Sequence, residues 1–173
     1  EEQSWQRRNK LIINNGKEKY YSIPYIGSRN SKINKIIVND KIDWRLKHRD
    51  QYLDTYKNHK YCNLVINEIF PIILDKKIKF LSELNIKLIS KICKLLEINT
   101  QFYKSSDLNC KGAKSDRLLN IINHFNETIY LSTIGSKDYI EKENKFKNSD
   151  LKIIYQNFKP KPYSQENLKT FIP

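Results

Sequence analysis

The sequence predicts an α/β fold in which a parallel β-α-β-α-β half follows a β-hairpin and a helical segment. Three observations support this class. Apolar-rich runs flank Asn15-Gly16, helical periodicity runs through residues 44–97, and short strand-like runs alternate with helical runs after residue 100. At 173 residues, we expect one domain over residues 1–173. The chain contains no methionine, and we expect both true ends to lie outside it.

The N-terminal elements are predicted to be strands. Asn-Gly tolerates positive φ at both central positions of a tight turn, so residues 10–14 and 19–26 are expected to form a β-hairpin. Pro24 lacks a backbone N–H and is expected to end its strand or to place it at a sheet edge. Residues 33–38 are predicted to form a third strand, followed by a turn at residues 39–40.

Three helices are predicted next. Asp43 is expected to cap a helix over residues 44–58, and a second helix over residues 63–74 is expected to end or kink near Pro71. A third helix is predicted over residues 79–97, with lysines on its solvent-facing side. Its other side carries an apolar stripe that comprises Leu81, Leu84, Leu88, Ile89, Ile92, Leu95 and Leu96.

The second half alternates strands and helices. The predicted elements are a strand over 100–104, a helix over 116–125 capped by Ser115, a strand over 128–131, a helix over 137–147 capped by Ser136, and a strand over 151–155. Ligands of open parallel sheets bind at the carboxyl ends of the strands. Here those ends lead into three polar loops, at residues 105–107, 132–136 and 158–161. Two of these loops lead towards helix N-termini, whose amides favour a phosphate or a carboxylate.

The basic composition has two interpretations. The formal net charge of +13 reflects 26 lysines and 6 arginines. It forms either an electropositive face for nucleic acid or another polyanion, or a solvated lysine coat. Specific phosphate and base recognition favours arginine, so a nucleic-acid partner is not the expected one, and a nucleic-acid or polyanion binding module that uses the basic surface is the alternative function. No stretch approaches eighteen apolar residues without charge, so no transmembrane helix is predicted.

Cysteine and histidine spacing predicts no metal site. The cysteines Cys62, Cys93 and Cys110 form no Cys-x-x-Cys pair, and the three histidines are scattered along the chain. Unpaired cysteines fit a reducing compartment, and we expect a cytoplasmic location. The sequence contains no P-loop and no Gly-x-Gly-x-x-Gly motif, and it identifies neither a cofactor nor an oligomeric state.

Eight segments, taken in chain order, resemble a known family. In one-letter code they are WQRRNKL (5–11), DWRLKHRDQYLDTYKNHKYC (43–62), LSELNIKLISKICKLLEINT (81–100), SSDL (105–108), DRLLNI (116–121), YLSTIGSKDYI (130–140), PYSQ (162–165) and FIP (171–173). Their order is similar to that of the WbqC-like family, whose members are associated with bacterial O-antigen and other surface-polysaccharide loci. The resemblance implies a transferase that modifies an activated or nucleotide-linked sugar, with glycine or acyl transfer suggested for some members.

The sequence also departs from the family pattern. The family often has a histidine where this chain has Lys161, and a glycine pair in the strand-end loop is reduced here to Gly135-Ser136. A His-Gln-Pro-x-x-x-Pro segment near the family's start and a Ser- and Asp-bearing segment near its end are not in this chain. These departures leave a scaffold without activity as a further alternative.

Two residues are predicted to be catalytic. His48 suits a general base near neutral pH, and its alternative is aromatic packing between Trp44 and Tyr52. Asp107 is expected to act as a base or to orient a substrate hydroxyl, and its alternative is an ordinary turn residue.

Further residues are predicted to bind substrate: Arg7, Asn9, Trp44, Arg45, Ser106, Arg117, Gly135, Tyr139 and Lys161. Arg45 and Arg117 are expected to clamp an anion, since a guanidinium binds phosphate or carboxylate bidentately. Gly135 is expected to permit close backbone approach to a ligand, with a plain turn as the alternative. Tyr139 is expected to stack on a sugar or to hydrogen-bond through its hydroxyl.

Overall fold

The computed structural model describes residues 7–13, 16–28, 31–147 and 150–163. The chain divides into two compact units. Among the described residues, the N-terminal unit comprises those from 7 to 99 together with Tyr163, and the C-terminal unit comprises those from 100 to 162. The described residues form helices, a parallel strand pair and an antiparallel hairpin, so the α/β class predicted from the sequence is confirmed. Within the described ranges, no helix combines the length and the apolar character that crossing a membrane requires.

A β-hairpin opens the N-terminal unit, as predicted. β1 (Arg8–Ile12) and β2 (Glu18–Ser22) pair in antiparallel fashion. Gly16 has a φ of +73°, which glycine adopts without strain, while Asn15 lies outside the described residues. β2 ends two residues before Pro24, as expected for a residue that has no backbone donor.

The third predicted strand is shorter than expected. β3 (Tyr25–Ile26) and β4 (Ile37–Val38) form a two-residue antiparallel pair. A 3₁₀ turn over Ile33–Lys35 occupies the first half of the predicted strand over 33–38. Its hydrogen bonds are local, so only the end of this segment reaches a partner strand. The predicted turn follows, where Asn39 Oδ1 accepts a backbone N–H two residues on, at 3.2 Å.

Four helices complete the N-terminal unit: α1 (Trp44–Tyr56), α2 (Cys62–Glu68), α3 (Phe70–Leu74) and α4 (Leu81–Leu95). The break predicted near Pro71 is confirmed, because Pro71 lies in the first turn of α3, where a missing N–H costs nothing. Asp43 occupies the N-cap position of α1, but its side chain makes no capping hydrogen bond to the described first turn.

The core of the N-terminal unit consists of Val38, Trp44, Ile78, Leu81 and Leu84. The apolar stripe predicted on α4 is buried at Leu81 and Leu84, and Leu88 packs partly buried against the core, but the prediction is wrong for three later members of the stripe. Ile89, Ile92 and Leu96 are 51%, 44% and 65% exposed. The reason is length, because α4 is 15 residues long, whereas α3 and the 3₁₀ turn that pack against it have only 5 and 3 residues.

The C-terminal unit contains a β-α-β crossover preceded by a helix. Its elements are α5 (Lys114–His124), β5 (Ile129–Thr133), α6 (Lys137–Glu143) and β6 (Lys152–Gln156). β5 and β6 are parallel, as predicted for the last two strands. Ile122, Ile140 and Phe146 form the core, and Leu118, Leu119, Tyr130, Leu151, Ile153 and Tyr155 pack against it.

Two predictions for the C-terminal unit are wrong. Residues 100–104, all of them described, form no strand, so only one crossover is present among the described residues. Tyr103 places its ring against Phe125, with the ring centroids 4.6 Å apart, instead of entering a ladder. Ser115 does not cap α5, because the helix already begins one residue earlier and Ala113 is its N-cap residue.

Candidate functional site

A turn just before α5 brings together three of the predicted site residues. Ser106 Oγ donates to Asp107 Oδ1 at 3.0 Å, and the Asp107 N–H donates to Lys104 O at 2.9 Å, which closes the turn. Arg117, in the first turn of α5, donates from Nη2 to Ser105 O at 3.2 Å. The structure therefore gathers a hydroxyl, a carboxylate and a guanidinium around residues 104–107.

This turn has the chemistry of an anion and hydroxyl site. Ser106 and Asp107 are exposed, whereas Arg117 is half-buried. Holding the Ser105 carbonyl uses one N–H of a guanidinium that carries five, and it fixes the plane of the group. The carboxylate can orient a hydroxyl or take its proton, while the guanidinium can pair with a phosphate or carboxylate of the same ligand.

The anion site expected at the N-terminus of α5 is occupied by the protein itself. The Ser115 N–H in the first turn donates to Glu143 Oε2 at 3.3 Å. The contact with Ser115 lowers the pKa of Glu143, and the charge of Lys114 adds to this effect. Because a carboxylate already meets the positive end of the helix, a phosphate bound at this N-terminus would have to compete with Glu143.

Hydroxyl groups line the carboxyl end of β5. Thr133 Oγ1 and Ser136 Oγ lie 3.0 Å apart, so Ser136 bonds to this hydroxyl rather than capping α6 with its side chain. Ser132 is only 5% exposed, and its Oγ has no hydrogen-bond partner among the described residues. A buried hydroxyl without a partner is unfavourable, and an internal water molecule is the group that would satisfy it.

The loop after β5 is open around Gly135. A Cβ added to this residue would meet nothing within 4 Å, so the packing of the described residues does not require glycine here. Tyr139 follows on α6 and is 39% exposed. It lies close enough to Tyr155 to affect it electrostatically, although burial is the main reason why the pKa of Tyr155 is raised.

Sequence reasoning left three residues of this strand end out of the predicted site. Ser132 faces the covered side of the sheet, opposite Tyr155 on β6. Lys137 Nζ lies 5.9 Å from the centroid of the Tyr155 ring. The strand register could have revealed Tyr155, because a residue near the carboxyl end of one parallel strand lies beside a residue of the next strand, and here Ser132 pairs with Tyr155.

His48 lies in an aromatic environment in the N-terminal unit. Its ring centroid is 5.0 Å from that of Tyr21 and 5.1 Å from that of Trp44, so Tyr21 takes the place that the packing alternative gave to Tyr52. Burial, followed by the charge of Lys19, lowers the pKa of His48 to about 4. The imidazole is therefore neutral and weakly basic at pH 7, which favours the packing interpretation.

Trp44 and Arg45 lie inside the N-terminal unit rather than on a ligand surface. Trp44 is 4% exposed and donates from Nε1 to Asp40 Oδ1 at 3.3 Å. Arg45 is 2% exposed, donates from Nε to Asp40 Oδ1 at 2.7 Å, and also binds the carbonyls of Ile73 and Ile78. To clamp an anion, Arg45 would have to give up a buried ion pair and two carbonyl partners.

The remaining predicted residues are spread over both units. The Arg7 guanidinium carbon lies 4.9 Å from the Tyr25 ring centroid, and the exposed Asn9 accepts the Lys10 N–H at 2.8 Å, both in the N-terminal unit. Lys161 is exposed in the C-terminal unit, outside any helix or strand. Within the described ranges, no three His, Cys, Asp or Glu side chains are grouped so that they could hold a metal ion.

The chain is thus an α/β protein whose C-terminal unit carries a polar strand end and a turn that groups a hydroxyl, a carboxylate and a guanidinium. The model of the WbqC-like protein family matches residues 1–173, and the chain belongs to this family. It is 24% identical over 156 residues to a Mycobacterium tuberculosis (strain ATCC 25618 / H37Rv) protein named "Uncharacterized protein Rv1507c". The match covers 89% of this chain and 66% of that protein, and no solved structure matches.

Proposed function

We propose that the chain is an enzyme of bacterial surface-glycan biosynthesis, a transferase that modifies an activated sugar by adding a glycine or an acyl group. Membership of the WbqC-like family supports this class of function. The observation that carries the proposal is the turn before α5, where the accessible Ser106 and Asp107 side chains lie beside the guanidinium that Arg117 aims at the same turn. Such a turn can orient a sugar hydroxyl through its carboxylate and pair with an anionic group through its guanidinium.

The turn before α5 would supply the reactive groups. The Arg117 guanidinium would pair with an anionic group of the donor or of the nucleotide-linked sugar. In acyl transfer, a sugar hydroxyl attacks the donor carbonyl and its proton passes to the Asp107 carboxylate. A carbon–oxygen bond then forms, the bond to the leaving group breaks, and the leaving group takes the proton back.

His48 and Arg45 have no part in this mechanism. The imidazole of His48 packs between two aromatic rings, and the guanidinium of Arg45 is held by Asp40. We therefore expect His48→Ala to lower activity only in proportion to the loss of folded protein.

The test is a binding and turnover assay with panels of nucleotide sugars and of acyl and aminoacyl donors. Asp107→Asn should leave binding nearly intact and lower turnover about 100-fold or more, because a general base contributes that much. Asp116→Asn is the matched control, since Asp116 is an exposed carboxylate of the same unit that pairs with Lys145 at 3.2 Å. Binding of no donor, or equal turnover in the two variants, would contradict the proposal.

A second function, nucleic-acid or polyanion binding, is favoured by the net charge of +13. Binding to phosphates releases counterions, so the logarithm of the affinity should fall with the logarithm of salt concentration by about 0.9 for each phosphate contacted. Titrating a single-stranded and a duplex oligonucleotide at several salt concentrations measures this slope. A flat response would eliminate this function.

A further inference from the structure

The outer face of the hairpin is defined by the strand register. Arg8 lies opposite Ser22, Lys10 opposite Tyr20, and Ile12 opposite Glu18, so these six side chains share one face. The other face carries Tyr21, which is 9% exposed and packs at a tilted angle against His48. The face with Arg8, Lys10, Ile12, Glu18, Tyr20 and Ser22 is here called the outer face, and Lys10, Glu18 and Tyr20 on it are exposed.

Two cations lie over the single aromatic ring of this outer face. The Arg8 guanidinium carbon is 4.5 Å and the Lys10 ammonium is 5.5 Å from the centroid of Tyr20, which is 50% exposed. An aromatic ring holds a cation near its face, so these charges are ordered before any ligand arrives. Lys10 also pairs with Glu18 at 2.5 Å, which places a carboxylate beside the two cations.

We propose that the outer face binds an acidic saccharide chain, one whose sugar units carry carboxylates. The guanidinium of Arg8 and the ammonium of Lys10 would bind sugar carboxylates. The Glu18 carboxylate and the hydroxyls of Tyr20 and Ser22 would bind sugar hydroxyls. The inference concerns the N-terminal unit and does not depend on the proposed transferase chemistry of the C-terminal unit.

The same residues fit single-stranded nucleic acid less well. Proteins bind single strands largely by stacking bases on open aromatic faces. Cations already lie over the ring of Tyr20, so a base would have to displace one of them.

The experiment measures binding of octagalacturonate by isothermal titration calorimetry with the full chain at one fixed salt concentration. Maltooctaose serves as the neutral saccharide and an eight-nucleotide oligouridylate as the nucleic acid. Lys10→Gln should weaken octagalacturonate binding about five- to tenfold, as the loss of one charge-assisted hydrogen bond implies. Arg8→Gln should have a similar effect, and neither the neutral saccharide nor the oligouridylate should bind comparably.

The chain offers a closely matched control on α4. Lys87 and Glu83 form an ion pair at 3.1 Å, with side chains 48% and 43% exposed, against 47% and 42% for Lys10 and Glu18. Lys87→Gln therefore makes the same change in charge in a similar setting away from the hairpin, and it should leave binding unchanged. Thermal unfolding of each variant shows whether it is folded.

Glu18→Ala separates recognition from simple charge attraction. Removing a negative charge should strengthen binding to any polyanion that is attracted by charge alone. If Glu18 accepts sugar hydroxyls, the substitution weakens octagalacturonate binding instead. Stronger binding in Glu18→Ala, equal losses in Lys10→Gln and Lys87→Gln, preferential binding of oligouridylate, or no binding of octagalacturonate would each overturn the proposal.

Discussion

Replacing Arg45 with methionine is expected to lower the free energy of unfolding by about 3–5 kcal/mol, the usual cost of breaking a buried ion pair by removing one partner. Arg45 is 2% exposed, and the side chain of its partner Asp40 is 18% exposed. Methionine fills much of the same volume, so the loss reports on polar partners rather than on a cavity.

The magnitude follows from the groups left behind. Arg45 donates to both carboxylate oxygens of Asp40, at 2.7 and 3.4 Å, and to the carbonyls of Ile73 and Ile78. Each buried carbonyl that loses its donor costs about 1–3 kcal/mol. Trp44 Nε1 at 3.3 Å and Lys79 Nζ at 3.7 Å remain beside the Asp40 carboxylate, so it keeps two partners and the expected total stays within the stated range.

The loss should also depend on pH. Burial alone would raise the pKa of Asp40, but the hydrogen bonds and the charge of Arg45 outweigh it and lower that pKa below 3.8. A depressed carboxyl pKa stabilises the fold above the unfolded-state value, and the contribution is lost as pH falls through the folded-state value. The difference between wild type and Arg45→Met should therefore shrink as pH falls below about 4.

The assay is urea unfolding followed by tryptophan fluorescence, since Trp44 is buried beside Arg45. Arg49→Met on the same helix is the control, because Arg49 pairs with Asp50 in an exposed setting and should contribute less than about 1 kcal/mol. If both variants lowered the free energy of unfolding by the same small amount, the structural role of Arg45 would be refuted, and Arg45 would again be a candidate for binding an anion.

Three further predictions concern other parts of the chain. NMR titration should give His48 a pKa near 4. The buried imidazole should lower the stability of the fold progressively as pH falls from 6.5 towards 4, because only the unfolded state is then protonated at this residue. A pKa near 6.5 would contradict the packing role of His48. In thermal unfolding, Gly135→Ala should be neutral or stabilising, while Gly112→Ala should destabilise, because Gly112 has a φ of +94° and its Cβ would lie 3.2 Å from backbone. Leu84→Ala should cost about 2–5 kcal/mol of unfolding free energy and Ile89→Ala less than about 1 kcal/mol, since only Leu84 is buried; similar losses would restore the long apolar stripe.

Elements with strong local signals were predictable from the sequence. The Asn-Gly dipeptide between apolar-rich runs predicts the hairpin, because glycine readily accepts the positive φ that Gly16 adopts in the connection. Pro71 predicts the break between α2 and α3, since it has no N–H to donate. These signals depend on the residues themselves and not on what packs against them.

Elements that depend on tertiary partners were not predictable. Residues 100–104 have strand-like composition, but a strand needs a neighbour, and Tyr103 finds its partner in the ring of Phe125. Ile89 and Ile92 continue the helical period of α4, yet nothing in that period reveals that the covering elements are short. Burial is a property of the pair of surfaces, so a single helix cannot reveal it.

The roles of the predicted site residues also depend on tertiary partners that the sequence does not reveal. Arg45 and Arg117 both occur at the start of a helix, and the sequence alone gives them the same role. Asp40 turns back to bind Arg45 inside the N-terminal unit, whereas Arg117 holds the exposed turn that carries Asp107. The difference between a structural and an accessible guanidinium therefore depends on a partner outside the helix.

The most direct test of the proposed site is NMR mapping of nucleotide-sugar and acyl-donor titrations onto the assigned backbone of the full chain. The expected result is a set of shifts confined to the C-terminal unit and centred on Asp107, Arg117 and residues 132–139. Shifts centred on His48 and Arg45, or no shifts at saturating donor, would contradict the assignment of the transferase site to the strand end and the turn before α5.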